Sequence, residues 1–319
     1  MVVVGLVITA ALDCVVLTWC QHRVTTWLGW AIAWAPNHGH ALKPAEDPDT
    51  GMRSGFGLRS LRVTTDPGIS MSILILDPAE GAVPRGTVFA VHGIRDRKES
   101  QLGLGRRLAS YGYRVILPDL RGHGQSSGEW LSYGVKDRRD LSRVLDTLAG
   151  YGFVAGPVGA VGHSYGASTI LQWAGMDSRV RAVVAVAPFA DLRSVVPDYI
   201  HRYLNGLYWL IPASTVSSGI EEAGRLGGFD PDEASPLRSI PRVQGAVLLI
   251  HGAADRHIPE SHSFRLQQAA LPGSKLIIVR HAGHYSINSK FGEVVRTEVR
   301  EWFRKHLAQG EIHPEWPDQ

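Results

Sequence analysis

Two hydrophobic periods alternate along this chain, and their order is what most restricts its fold. Residues Thr87–Val91, 114–117, 158–161, Val180–Val186, 246–250 and Lys275–Val279 are short, apolar runs of the kind found in strands buried on both faces. Between them lie stretches of helical period: 102–111, 135–149, 167–175, 259–270 and 291–307. Strands that alternate with helices pack as a doubly wound, mostly parallel sheet, because each crossover lays a helix on one face or the other. Ahead of them, 58–63 alternates with period two, Asp66-Pro67-Gly68 signals a turn, and 70–76 reads as a second strand. That pair supplies an antiparallel edge hairpin. The expected class is therefore α/β. Ligands in such sheets bind at the carboxyl ends of strands.

Each segment with chemical promise follows an apolar run. Gly162-His163-Ser164-Tyr165-Gly166 stands between a strand and a helix, and a Ser flanked by Gly at both second neighbours reads as a nucleophile elbow. The two Gly leave room where any Cβ would strike a neighbouring element. A Ser nucleophile needs a base, and the base needs a carboxylate to fix its tautomer. Asp255, in His251-Gly252-Ala253-Ala254-Asp255, is the natural orienting acid, with Asp191 as a competitor. His284, after Gly283 and before the last helix, is the best base; His251, His257 and His281 are its rivals. Oxyanion donors are worth roughly 3 to 4 kcal/mol each in acyl transfer. They are expected at the N–H of Tyr165, which opens a helix, and of Ile94, after His92-Gly93. The loop 118–126 reads as structural.

These motifs, with Asp119-Leu120-Arg121-Gly122-His123-Gly124, stand in one order, and Ser164, Asp255 and His284 follow the chain order of an α/β-hydrolase triad. From about residue 57 to 307 the chain resembles the α/β-hydrolase superfamily. The region of Asp255 and the approach Asp232-Glu233-Ala234-Ser235-Pro236 resemble its Bem46-like, serine aminopeptidase-like branch. The resemblance implies a serine hydrolase that cleaves a carboxylic ester or thioester through an acyl-Ser164 intermediate. Peptidase or acyltransferase chemistry on the same three residues is the alternative, and a non-catalytic, membrane-tethered scaffold is a further one. No metal or organic cofactor is implied. A Ser at 164 departs from the dehalogenase and epoxide-hydrolase branches, which carry Asp there. The long insert 191–240 then looks like a small helical cap over the site. Its Tyr199, Tyr203, Leu207, Tyr208 and Trp209 suit either a pocket for a small-molecule or lipid-like acyl substrate or packing of the cap on the core. The Gly-rich stretch 216–228 suggests a mobile cap.

Composition narrows the partners. The formal net charge is only +3, and no Lys/Arg run with interleaved aromatics occurs, so nucleic acid is not an expected partner. The two Cys, Cys14 and Cys20, leave the rest of the chain without a disulfide framework or a thiolate metal site. The 14 His show no H-E-x-x-H spacing, so no metal is expected.

Residues 2–19 are nearly all apolar, interrupted by Asp13, and about 18 to 20 such residues can cross a bilayer core. No Lys or Arg precedes them, as a signal peptide requires. Trp27, Trp30 and Trp34 follow at helical spacing, as in an interfacial belt. The segment 1–36 is thus expected to attach the protein to a membrane as a single-pass or associated helix through 2–20; a helix packed on the domain is the other reading. Arg23 favours a cytoplasmic catalytic domain. Residues 37–54 read as a linker, 55–308 as the domain, and 309–319 as a tail.

Overall fold

The computed structural model describes residues 23–38, 56–79 and 81–307. Among them are the strands β1 (Phe56–Asp66), β2 (Ile69–Ala79), β3 (Thr87–Val91), β4 (Arg114–Pro118), β5 (Val158–His163), β6 (Val180–Val186), β7 (Ala246–Gly252) and β8 (Lys275–Val279). They form one sheet in the order β1-β2-β4-β3-β5-β6-β7-β8. The β1–β2 hairpin is antiparallel, β2 also runs antiparallel to β4, and every later pairing is parallel. The α/β class and the antiparallel edge expected from the sequence are both present.

Alternate residues of each parallel strand enter opposite cores. In β3, Phe89 and Val91 join one apolar cluster, and Val88 and Ala90 join the other. Helices α3 (Asp137–Gly150) and α4 (Tyr165–Ala174) cover the first face through Leu141, Val144, Ile170 and Leu171. Helices α2 (Leu102–Ser110) and α9 (Gly292–His306) cover the second through Leu108, Val299 and Phe303. Burial on both sides is why these runs carry no polar alternation. Each large side chain buried in this way contributes about 1.5 to 3 kcal/mol. Strand β3 lies between β4 and β5, so the chain winds away from it in both directions. A crevice opens at the carboxyl ends of strands where the order reverses in this way.

The N-terminal helix α1 (23–33) is part of this packed unit. Leu28, Ile32, Ala33 and Ala35 are buried. Leu28 sits in a notch at Gly219 of α6 (Ala213–Gly227), where a Cβ would come within 2.7 Å of Leu28 Cδ2. Beyond α1, the Leu131 N–H donates to the Ala33 carbonyl at 2.7 Å, and the Asn37 side chain donates to the Gly124 and Ser126 carbonyls. Residues 23–36, grouped by sequence with the apolar segment, therefore pack on the α/β domain, and Trp27 and Trp30 of α1, with Trp34 just after it, face outward. No helix among the described residues is long and apolar enough to cross a membrane. The run 2–20, with Asp13, Cys14 and Cys20, lies outside the described residues, as do 39–54 of the expected linker and the tail 309–319.

The insert is helical: α5 (Leu192–Leu204), a 3₁₀ segment (Asn205–Leu210), α6 and the short α7 (Pro236–Ser239). The Gly-rich stretch 216–228 is not a loose loop. Most of it is the body of α6, and its glycines are contact seats. Gly219 receives Leu28, Gly224 lies against Pro231, and Gly227 lies against the Leu131 carbonyl. The remaining helix, α8 (Ser261–Ala269), packs beside β7 and β8.

Candidate active site

Strand β5 delivers Ser164 to the crevice. Ser164 has φ 55° and ψ −118°, a left-handed backbone that side chains rarely adopt, and it stands at the N-terminus of α4. Its own N–H is tied to the Val186 carbonyl at the end of β6 at 2.8 Å. The flanking glycines permit the bend. A Cβ on Gly162 would lie 2.7 Å from the Gly166 carbonyl carbon, and one on Gly166 would lie 2.3 Å from the His92 carbonyl oxygen.

The loops after β7 and β8 bring two more side chains to the same point. The Ser164 hydroxyl lies 2.9 Å from His284 Nε2 and donates to it. His284 Nδ1–H donates to Asp255 Oδ2 at 2.7 Å. Asp255 Oδ1 accepts the N–H groups of His257 and Ile258 at 2.9 and 3.0 Å. Burial works to raise the Asp255 pKa, but the imidazoles of His251 and His284 and the Ile258 N–H outweigh it and hold the carboxyl well below the usual range. Asp255 is therefore ionised at neutral pH, and it accepts from Nδ1, leaving Nε2 free to face the serine. Ser164, Asp255 and His284 are all nearly buried.

Of the rivals, Asp191 is bonded elsewhere, and His251 lies beside Asp255, its Nε2 3.6 Å from Oδ2. Asp191 accepts the Ser194 N–H at 2.8 Å and pairs with Arg265 at 2.7 Å, at the start of α5. His251 Nε2–H donates to the Ile258 carbonyl at 2.8 Å, and its Nδ1 meets Ser263 Oγ at 2.6 Å. His281 is exposed, with φ 62°. His257 stacks near His284, with ring centroids 5.4 Å apart, at the mouth of the site.

The two expected backbone donors flank Ser164. Tyr165 opens α4, so its N–H has no intrahelical acceptor and points from the positive end of the helix. Ile94 follows Gly93, whose Cβ position lies 3.8 Å from Ser164 Cβ. The loop carrying Ile94 is pinned from below by a buried ion pair. Lys98 Nζ meets Asp119 Oδ2 at 2.6 Å, and the Lys98 N–H donates to Asp119 Oδ1 at 2.8 Å. A Cβ on Gly124 would collide with that carboxylate at 2.3 Å, so the loop 118–126 is indeed built around Asp119.

Sequence reasoning missed several residues that shape this site. His163 Nε2–H donates to the His284 carbonyl at 2.9 Å, tying the loop of His284 to the turn at Ser164. Burial drives the His163 pKa down to about 3, so the ring is neutral and can hold that bond. Behind the elbow, Tyr165 Oη donates to Asp137 Oδ2 at 3.0 Å, and Arg121 pairs with Asp140 at 2.8 Å. The pattern of α3 carried a signal for these two acids. Asp137 and Asp140 stand in register with Leu141, Val144 and Leu148 on its buried face. Nothing in the sequence marked Lys98.

The cap borders the mouth through the face of α5 that carries Tyr199 and Tyr203. Tyr203 lies 6.2 Å from the His257 ring, and Tyr285 lies 5.2 Å from the His284 ring. A different face of α5 lines a cleft of about 360 Å³ with Ile200, Trp209, Ile211, Val216 and Ile220. Leu207, Trp209 and Leu210 are largely exposed, and so is Tyr203 apart from its approach to His257.

Comparison with known proteins agrees with this architecture. Residues 88–297 match the sequence profile of the alpha/beta hydrolase family. The uncharacterised protein Rv2715 of Mycobacterium tuberculosis is 36% identical over 247 residues, covering 62% of this chain and 70% of that protein. The uncharacterised protein YqkD of Bacillus subtilis is 28% identical over 219 residues, covering 68% of this chain and 70% of its own length. Among solved structures, the Pyrococcus furiosus esterase Pf2001 superimposes with a TM-score of 0.65 at 19% identity, over 85% of this chain and 100% of that one. At that identity the likeness is one of fold.

Proposed function

The chain belongs to the alpha/beta hydrolase family, and from that premise we propose that it is a serine hydrolase cleaving carboxylic esters or thioesters through an acyl-Ser164 intermediate. The observation that carries this reading is the continuous relay from Ser164 Oγ through the His284 ring to Asp255, at the carboxyl edge of the sheet. Ser164 Oγ attacks the acyl carbon while its proton passes to His284 Nε2. The carbonyl oxygen becomes an oxyanion held by the N–H groups of Ile94 and Tyr165. Collapse breaks the bond to the leaving oxygen or sulfur, which takes the proton from Nε2. Water then gives a proton to Nε2 and attacks the acyl carbon, and Ser164 leaves with that proton. Asp255 stays ionised throughout and stabilises the imidazolium.

The esterase named among the structural neighbours supports an ester as the substrate. The apolar run 2–20 supports attachment to a membrane, and Arg23 after it favours the cytoplasmic side. The likeness to the Bem46-like branch rests on 232–236 and Asp255 alone.

Ser164→Ala tests the assignment. The variant is expected to lose fluorophosphonate labelling and all turnover of p-nitrophenyl esters while melting like the wild type. Full labelling of the variant would overturn it. A panel of p-nitrophenyl esters of graded chain length, run against aminoacyl anilides, separates esterase from peptidase action.

A further inference from the structure

Three observations converge on one end of the molecule. The first is an exposed apolar tip on the cap. Tyr203 is 68%, Leu207 60%, Trp209 70% and Leu210 57% exposed, within eight consecutive residues. Contiguous exposure on this scale marks an interaction surface.

The second is where the first described helix begins, a few residues after the apolar run of the sequence. The contacts between α1 and α6 run in the same chain direction. Leu28 meets Gly219 and Gly29 meets Glu222, and Leu131 receives both C-terminal ends, through the Ala33 carbonyl and Gly227. Arg23 precedes Leu28 by five residues, about 7.5 Å of helix, which sets it level with the first turn of α6. That turn follows directly on the cap tip. The described chain therefore begins, at Arg23, at the same end of α6 as 203–211, and Val24 and Trp27 at this end of α1 are themselves exposed.

The third is continuity with the chemistry. From the tip, Tyr203 contacts His257, and His257 contacts His284.

We propose that the cap tip, residues 203–211, docks on a lipid bilayer beside the apolar run 2–19, and that Ser164 draws long-chain acyl esters from that bilayer. The inference rests on the serine-hydrolase reading for its chemistry. It goes further in assigning the tip a partner and the site a substrate class. An apolar surface with tyrosine and tryptophan at its rim fits the interfacial layer of a bilayer, and the neighbouring run supplies a second attachment, as stable binding requires. An acyl chain would then travel along the tip to the mouth without crossing water.

The test uses the full chain, and so keeps the N-terminal run in both proteins. Wild type and the triple variant Leu207→Ser, Trp209→Ser, Leu210→Ser are compared on 4-methylumbelliferyl oleate carried in phosphatidylcholine–phosphatidylglycerol vesicles and on p-nitrophenyl acetate in solution. The variant is expected to lose about tenfold or more on the vesicle-borne ester, with acetate turnover and melting temperature unchanged. Equal rates on vesicles would overturn the inference and leave the hydrolase reading intact. If wild type hydrolyses neither ester, the hydrolase reading fails. Docking is then read from quenching of tryptophan fluorescence by brominated lipid, which should fall in Trp209→Phe; no difference between the two proteins would overturn the docking as well. A wild-type dimer that the triple variant dissolves, with vesicles without effect on either, would assign the tip to a second copy of the chain and overturn the proposal.

Discussion

Gly166 is the residue whose side chain is most strictly forbidden around the elbow. An added Cβ would meet two backbone oxygens at once, His92 at 2.3 Å and Val91 at 2.6 Å, and neither can swing aside as a side chain could. Those carbonyls end β3 and lead into the loop carrying Ile94. Gly166→Ala is therefore expected to cost about 3 kcal/mol in denaturant unfolding. It should also lower ester turnover by more than the loss of folded protein explains, since the loop beside Ser164 must move. An unchanged denaturation midpoint would show that the strand end yields freely. At this scale the sequence was legible where chemistry dictates spacing. Ser164, Asp255 and His284 could be picked out because each stands a few residues past an apolar run, Ser164 between two glycines and His284 directly after one. His163 and Lys98 could not. Their partners, the His284 carbonyl and the Asp119 carboxylate, are 121 and 21 residues away, and nothing in the local pattern marks such a contact.

Elements were legible in proportion to how completely they are buried. Strands β3 and β6 have the limits their apolar runs predict, because burial on both faces leaves no ambiguity of period, and the partly buried edge strand β8 keeps its predicted limits as well. The hairpin extends further than its alternation suggested, since Thr64 and Asp66 continue the pairing at one end and Phe56 and Ala79 at the other, across a register shift at each end. The cap was the least legible element. Glycines at 219, 224 and 227 read as flexibility in one dimension, yet in three they let α6 approach Leu28, Pro231 and Leu131. Helix α1 likewise has two faces. Its tryptophans drew the eye, while Leu28 and Ile32 make the contacts that hold it. Leu28→Ala should leave an empty notch over Gly219 and cost about 2 kcal/mol. Hydrogen exchange should show the loss first in the amides of α1 and α6; uniform protection across both helices would mean that α1 is held from elsewhere.

At the scale of the whole molecule, several imidazoles are held neutral inside the domain. Burial lowers the pKa of His92, and lowers those of His123 and His163 to about 3. The bonding agrees: His92 Nδ1–H donates to the Gly93 carbonyl, while its Nε2 accepts the Leu120 N–H at 3.0 Å, which only a neutral ring can do. In the unfolded chain each titrates near 6.5, so as pH falls below that value the unfolded state binds more protons than the native one, and stability falls. Each ring contributes up to about 1.4 kcal/mol per pH unit. Asp255, with its native pKa depressed, adds its own loss only at lower pH, as its unfolded carboxyl titrates near 4. Urea midpoints are expected to be level above about pH 7 and to drop steadily from 6.5 toward 4. A flat profile across that range would contradict neutral burial of these rings.

The spread of the site along the chain also has a consequence in time. Ser164 and His284 are 120 residues apart, and four strand ends, those of β3, β5, β7 and β8, must be in register before the relay exists. Contacts so distant in sequence form late, after the loops between them have closed. On the ribosome, the elbow emerges long before its base. A nascent chain therefore lacks the relay until β8 has been laid beside β7 and the loop carrying His284 has followed it.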